Sequence, residues 1–385
     1  MAKLGEVCDI LNGYAFKSNQ YTTSGVRIIR ISNVQKGYIE DKSPVYYPCD
    51  DENVKKYELK QNDLLISLTG NVGRTALLEE KFLPAALNQR VSCVRLKEPD
   101  KVLKTYLFHL LNSDYFEQQC MKAAEGVAQK NLSPKWLFEY KLPIYSIERQ
   151  KEISNTLDKI DLLIILRKQQ LAKLDELVKA RFVEMFGTFP ANPFRWSTGK
   201  IQDVVSDVRY GSSRPAVEGG KYPYLRMNNI TYSGKLDLHD TKRIDIPDSE
   251  LDKCTVRRGD VLFNRTNSKE LVGKTCVYNR DELMVLAGFI IRVRVNERIR
   301  PEVLSAFLNM DFSKRMLIGM CKTAIGQANI NAKELQNIDL YIPPIELQDQ
   351  FVALKNKIDQ QKQTVQQSLE KLELLKKALM QEYFG

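Results

Sequence analysis

The strongest constraint on this chain is an internal repetition with a very long period. Arg30-Ile31-Ser32-Asn33-Val34 returns as Arg226-Met227-Asn228-Asn229-Ile230. Asn62-Asp63-Leu64-Leu65 returns as Gly259-Asp260-Val261-Leu262, and Gly73-Arg74-Thr75 as Gly273-Lys274-Thr275. Gln129-Lys130-Asn131-Leu132 is matched by Gln327-Ala328-Asn329-Ile330. Leu142-Pro143 precedes Ile147-Glu148-Arg149-Gln150 just as Ile342-Pro343 precedes Ile345-Glu346-Leu347-Gln348, and Phe186-Gly187 is echoed by Phe384-Gly385. The anchors keep one order at a spacing of about 198 residues, which is too long for a stacked solenoid repeat and fits a duplicated domain with its own appendage. The 385 residues therefore divide into two units, 1–187 and 188–385.

Each unit reads alike. Strand-like runs fall at 26–31, 63–68 and 90–96 in the first and at 222–230, 260–265 and 288–295 in the second. A helical stretch follows at 101–120 and 301–321, the latter opening on Pro301, where proline suits a helix start. A proline-marked strand then leads into a long helix, about 146–184 and 346–383. In the first helix Ile153, Leu157, Ile160, Ile164, Leu171, Leu174 and Val178 step by threes and fours, with Arg167 interrupting. In the second, Phe351, Ile358, Val365, Leu372 and Leu379 fall every seventh residue. Leu354 and Leu375 lie in the intermediate seam, and Gln361 and Ser368 break it. A sustained seven-residue apolar period predicts a coiled coil. A helix this long cannot bury its stripe on its own domain, so it needs the other helix, a partner or both. A bare dimerisation stalk is the simpler alternative, but each chain already carries two matching helices.

Composition narrows the function. Hydrophobic residues make up 43%, enough for packed cores. The formal net charge of +10 suits a polyanionic partner such as nucleic acid. The seven cysteines include no C-x-x-C pair, and neither of the two histidines, His109 and His239, lies near a cysteine, which predicts reduced thiols, a cytoplasmic setting and no zinc site. The N-terminus has no apolar signal core, and no apolar run is long enough to span a membrane.

Catalytic patterns fail on inspection. Gly273-Lys274-Thr275 resembles the end of a phosphate loop, but Ser268 stands where the loop needs glycine. Asn192-Pro193-Phe194 is one residue short of an amino-methyltransferase tetrapeptide and has no glycine-rich cofactor loop beside it. Pro247-Asp248 with Asp252 and Lys253 lacks nuclease spacing, and no Ser-His-Asp set presents itself.

Polar and basic residues instead cluster in the repeated loops. The first copy offers Arg30, Asn33, Thr69, Asn71, Arg74, Gln89 and Arg90. The second offers Arg209, Tyr210, Ser212, Ser213, Arg214, Arg226, Asn228, Asn229, Asn264, Arg265, Thr266, Asn267 and Lys269. Arginine pairs with guanine and asparagine or glutamine with adenine, while serine, threonine and lysine hold phosphates. Any single Asn-Gly-Ser cluster is more readily an ordinary turn, and it is the recurrence of Arg and Asn at equivalent places that points to DNA; Arg30 and Arg226, which follow strand-like residues, could equally be structural ion-pair partners.

These features together resemble the specificity subunits of type I restriction–modification systems. The resemblance is carried by Leu4-Gly5-Glu6-Val7 and Ile201-Gln202-Asp203-Val204, by Tyr222 through Ile230, by Gly259 through Ser268 with Glu270 through Thr275, and by the Leu-Pro-Ile and Ile-Pro-Pro runs before the long helices. It covers the whole chain.

It implies an α+β protein in which two similar mixed α/β target recognition domains are separated by two long antiparallel helices forming a coiled coil. The domains would be 1–145 and 188–343, and the helices 146–187 and 344–385. Each recognition domain would read one half of a split sequence in double-stranded DNA, and the helices would set the spacing and dock two methylation subunits. S-adenosylmethionine, ATP and magnesium would belong to the methylation and restriction partners, leaving this chain without catalysis, cofactor or metal. Two departures stand out: the first domain starts almost at residue 1, and its counterpart of the Asn-Arg-Thr loop, Ser67 through Asn71, is shorter and less basic. The competing possibilities are a coiled-coil protein scaffold without DNA specificity and a self-contained methyltransferase.

Overall fold

The computed structural model describes residues 1–124, 131–324 and 327–385; Gln129 and Lys130 of the repeat lie outside them. The chain forms two compact units, residues 1–168 with 367–385, and residues 169–366.

The first unit holds a head of two four-stranded sheets. One is antiparallel, in the order Cys8–Asn12, Val91–Leu96, Leu64–Ser67, Thr75–Leu77. The other runs Tyr46–Tyr47, Val26–Ile29, Ala85–Leu87, Glu58–Leu59, with the central pair parallel. The antiparallel sheet packs against Lys104–Leu111 and Asp114–Ala123 through Leu64, Ile66, Val94, Leu107, Leu111 and Phe116. A further pairing joins Ala2–Lys3 to Lys141–Leu142, the strand that leads into the first long helix.

The second unit repeats this plan. Its antiparallel sheet is ordered Val205–Tyr210, Ile290–Val295, Val261–Asn264, Thr275–Val277. Its mixed sheet is Lys242–Ile244, Tyr222–Leu225, Met284–Leu286, Thr255–Val256, again with a parallel central pair. Ser197–Lys200 pairs with Asp339–Ile342 before the second long helix. One addition is a three-stranded sheet of Thr266–Asn267, Gln327–Asn329 and Lys322–Ala324. Among the described residues the first head has a single bridge at that place, between Thr69 and Asn131.

Two sequence expectations need correction. The runs 26–31 and 222–230 are not continuous strands. They end at Ile29 and Leu225, where 3₁₀ turns, Ile31–Asn33 and Met227–Asn229, take over. The side chains of Asn33 and Asn229 accept from the N–H of Arg30 and Arg226, both at 2.8 Å, offering the backbone a bond that competes with the strand ladder. The helical stretches 101–120 and 301–321 are each two helices. Ser113 caps the second helix of the first pair by accepting from Phe116 N at 3.1 Å.

The long helices are Ile147–Phe186 and Ile345–Phe384, 40 residues each, about 60 Å at 1.5 Å per residue. In the first unit their segments run antiparallel: Lys376 meets Asp161 at 2.5 Å and Lys168 meets Glu373 at 3.0 Å. Arg167 and Ser368, which interrupted the two apolar series, face each other, with Arg167 Nε donating to Ser368 Oγ at 3.2 Å. Two polar breaks that satisfy one another fix a register that apolar contacts alone leave free to slip. Leu375, expected in the seam, is instead 46% exposed. In the second unit Phe182 and Phe186 pack edge-on against Phe351. Gln361 points outward there, and Lys362 occupies the buried position, paired with Asp175.

Glutamines 150 and 348, the last residues of the repeated Ile-Glu-x-Gln motif, are fully buried. Gln150 accepts from Leu103 N at 2.9 Å and donates to the carbonyls of Lys101 and Tyr145. Gln348 accepts from Arg300 N at 2.8 Å and donates to the carbonyls of Arg298 and Pro343. Each glutamine thus pins a long helix to the start of a head helix in its own unit.

Candidate nucleic-acid interface

The repeated motifs turn out to be scaffold. In both heads a residue with positive φ, Asn62 at 63° or Gly259 at 90°, opens a tight turn. The following aspartate accepts from a backbone N–H, Lys60 or Arg257, and pairs with Arg95 or Arg294. Gly73 and Gly273 also have positive φ, and a Cβ there would lie 2.8 Å from Cys120 Cβ or 2.7 Å from Leu317 Cδ1. Thr75 and Thr275 are buried and donate to the carbonyls of those glycines. Lys274 has its ammonium on the carbonyl of Met227 at 2.8 Å. The phosphate-loop resemblance therefore resolves into a strand start locked beneath a turn.

Several residues nominated as DNA contacts are committed inward. Asn33 and Asn229 are 3% and 2% exposed; beyond the Arg30 and Arg226 amides, Asn33 donates to Glu40 O and Asp41, and Asn229 to Asp237 O. Asn264, Thr266 and Ser212 are also buried. Their side chains hold turns and strand ends and face no solvent. Others are exposed or half-exposed but occupied. Arg30 donates to Ser43 O, Arg74 to Gln35, and Arg226 to Asp240 at 2.9 Å. Arg209 pairs with Asp207 and Asp252, and Arg214 with Glu250. Burial pushes the Asp207 carboxyl up, but bonds and charge from Arg292 and Arg209 outweigh it and hold it below the usual carboxylate range.

What remains open lies at one end of the antiparallel sheet in each head. There the last residue of the first strand, the residue after the third and the residue before the second come together. In the second head these are Tyr210, Arg265 and Phe289, with Arg265 N donating to Phe289 O at 3.0 Å. The Arg265 guanidinium lies 4.9 Å over the Tyr210 ring, and Tyr210 Oη accepts from Ala332 N at 2.8 Å. Around them Ser213, Asn267 and Lys269 reach solvent wholly or in part. In the first head the same three places hold Asn12, Leu68 and Arg90, tied by Leu68 N donating to Arg90 O at 3.0 Å; Asn12 and Arg90 are exposed, whereas the Leu68 side chain is buried in the core. Thr69, Asn71 and Gln89 flank them, and Asn228 lies exposed on the second head's turn.

Phe289 was not foreseen from sequence. It stands where the first copy has Arg90, so the repeat marked the position without suggesting its chemistry.

Among the described residues there is no group of three or more His, Cys, Asp or Glu side chains placed to hold a metal. The seven cysteines are unpaired, and burial pushes the Cys8 and Cys276 thiols up to about 12, so they stay protonated at neutral pH. No helix among the described residues is long and apolar enough to cross a membrane.

Comparison with known proteins agrees with this architecture. The type I restriction modification DNA specificity domain matches residues 1–176 and 193–374. The type I restriction enzyme EcoKI specificity subunit of Escherichia coli strain K12 is 22% identical, over 91% of this chain and 80% of that protein. The EcoBI specificity subunit of Escherichia coli is 24% identical, over 91% and 77%. The type I restriction-modification S subunit from M. genitalium superposes with a TM-score of 0.56 at 15% identity, over all of this chain and 95% of that one. A chain solved in work on assembly and conformational transition of the type I R-M system gives 0.61 at 20% identity, over 100% and 96%. With both halves matched by one domain and both heads built on one plan, the chain belongs to the type I restriction–modification specificity subunit family.

Proposed function

We propose that this chain is the non-catalytic, DNA-reading subunit of a cytoplasmic type I restriction–modification complex, each head reading one half of a bipartite target in double-stranded DNA. The observation that carries this is the contrast between a repeated scaffold and unlike tips. Two heads share sheet order, turns and anchors, yet one exposes Asn12 and Arg90 beside a buried Leu68 where the other presents Tyr210, Arg265 and Phe289. One frame with two sets of exposed side chains suits two different half-sites.

The long helices would set the distance between half-sites and, paired antiparallel, give a pseudo-twofold arrangement from a direct repeat. They would also dock two methylation subunits. In the first unit Leu162, Leu163, Ile165, Leu166, Leu374 and Leu375 are 41–69% exposed on these helices, an apolar surface of the kind that partner proteins cover. Adenine methylation with S-adenosylmethionine would belong to those subunits. Translocation and cleavage with ATP and magnesium would belong to restriction subunits joining the larger complex.

A mobility-shift assay of the chain with and without its methylation subunits, on non-specific duplex across a salt series, tests the DNA role. Binding should weaken steeply between 50 and 200 mM salt, by roughly 10³-fold if about six phosphates are contacted. Salt-insensitive or absent binding would favour the protein-scaffold alternative. S-adenosylmethionine binding by the isolated chain would favour a methyltransferase; none is expected.

A further inference from the structure

We infer that the trio Tyr210–Arg265–Phe289 is the base-reading element of the second head, with Arg265 taking a guanine edge in the major groove and Phe289 the apolar edge of a neighbouring base pair. The inference rests on the DNA-reading role proposed above and assigns it to particular atoms.

Three observations carry it. Arg265 differs from the other arginines nominated in this head. Arg209, Arg214 and Arg226 are each held by an acid. The Arg265 side chain has no ion pair or hydrogen bond among the described residues, and its buried Nε is unpartnered. Its position is set by the Tyr210 ring beneath it, and Tyr210 is fixed in turn by the Ala332 amide. A guanidinium held over a ring face, with no acid beside it, keeps its terminal N–H groups free to form the planar fork that matches guanine O6 and N7.

Second, Phe289 is 50% exposed beside it, joined through its own carbonyl to the Arg265 amide. A phenyl group gains nothing from phosphate oxygens but fits a thymine methyl. A donor fork beside a phenyl therefore suits a base-pair edge better than the backbone. Third, the backbone beneath is fixed. A Cβ at Gly211 would fall 2.3 Å from Leu286 O, and Gly288 N donates to Ser212 O at 2.7 Å, so the segments carrying Tyr210 and Phe289 lie close together. The first head has the same backbone frame but exposes Asn12 and Arg90 at its tip, with Leu68 buried, so it would read by another pattern.

The test is bind-and-sequence selection from a random duplex library. The chain is used in complex with its methylation subunits, as wild type, Arg265→Ala, Arg265→Lys and Phe289→Ala. For wild type, a two-part motif is expected. Arg265→Ala should lower preference at one guanine of one half-site by roughly 10-fold or more, with the other half-site unchanged as an internal control of folding. Arg265→Lys should restore only part of it, because an ammonium lacks the fork. Phe289→Ala should relax the adjacent position.

On a duplex of the selected sequence, 7-deazaguanine at that guanine should weaken wild type but not Arg265→Ala. An unchanged motif in all three variants overturns the assignment, as does a uniform loss of affinity across sequences, the signature of a phosphate contact. If wild type selects no motif at all, the DNA-reading role itself falls.

Discussion

Asn229 separates a base-reading role from a scaffolding one more sharply than any other nominated residue. It is 2% exposed, and its amide accepts from Arg226 N at 2.8 Å and donates to Asp237 O at 2.8 Å and Asp240 O at 3.4 Å. Asn229→Ala removes all three bonds and leaves the Arg226 N–H and the Asp237 and Asp240 carbonyls without this partner. With a net worth of about 1 kcal/mol per bond and a further penalty for the orphaned groups, the loss should total about 2–4 kcal/mol. Urea unfolding at constant m-value measures it. Asn228→Ala, one residue earlier and exposed, should stay within about 0.5 kcal/mol of wild type. Asn33→Ala should cost a comparable amount in the first head, where Asn33 makes the matching bonds to Arg30 N and Glu40 O. Well below its unfolding transition, Asn229→Ala should still select the wild-type DNA motif. Unchanged stability with altered base preference at one position would refute the scaffold role and return Asn229 to the DNA surface.

Three further outcomes are expected. Gln348→Leu should cost about 2–4 kcal/mol, since it leaves Arg300 N, Arg298 O and Pro343 O without a fully buried partner; thermal unfolding reads it, and a neutral result would remove the glutamine anchor. Asp207→Ala should destabilise the second head by about 3 kcal/mol because it removes the carboxylate 2.6 Å from the Arg292 guanidinium, which is 1% exposed and keeps only the Asp252 and Thr255 carbonyls among the described residues; loss of less than about 0.5 kcal/mol would contradict this. Burial pushes Lys314 down to about 8, against an ordinary value near 10.5. The folded state therefore disfavours its charged form, a cost fully present below pH 8 that fades as pH rises from about 8 to 10.5. Lys314→Met should accordingly stabilise the protein at pH 7 by about 1–2 kcal/mol, and the advantage should shrink towards pH 10. Thr275 Oγ1 still donates to the Gly273 carbonyl that Lys314 gives up.

The repeat made the architecture legible, because duplicated turn residues and duplicated apolar periods obey local rules. Pro301 opens a helix, and the long helices extend within a residue or two of where their apolar series places them. The site was harder to read for the same reason. Residues that recur between copies, Asn33 with Asn229 and Asp63 with Asp260, recur because both heads need the same caps and turns. The two asparagines read in the sequence as repeated base contacts, but burial assigns them, like the aspartates, to the frame. The tip residues differ between copies, so self-comparison passes over them. Phe289 shows this: its exposure beside Arg265 depends on three strand ends meeting, which no local sequence signal encodes. The coiled-coil seam was legible in period but not in detail. Lys362 is buried where Asp175 meets it from the facing helix, a long-range pairing that the heptad pattern does not show, and Leu375 is exposed although its position in the pattern places it in the seam.

The most direct measurement is methylome sequencing of a host expressing this chain with its methylation subunits. Two heads with one frame and unlike tips should yield methylated adenines in a single bipartite motif, its two specific parts different in sequence and separated by a fixed non-specific gap. An undivided motif, two identical half-sites, or no motif dependent on this chain would contradict the central claim.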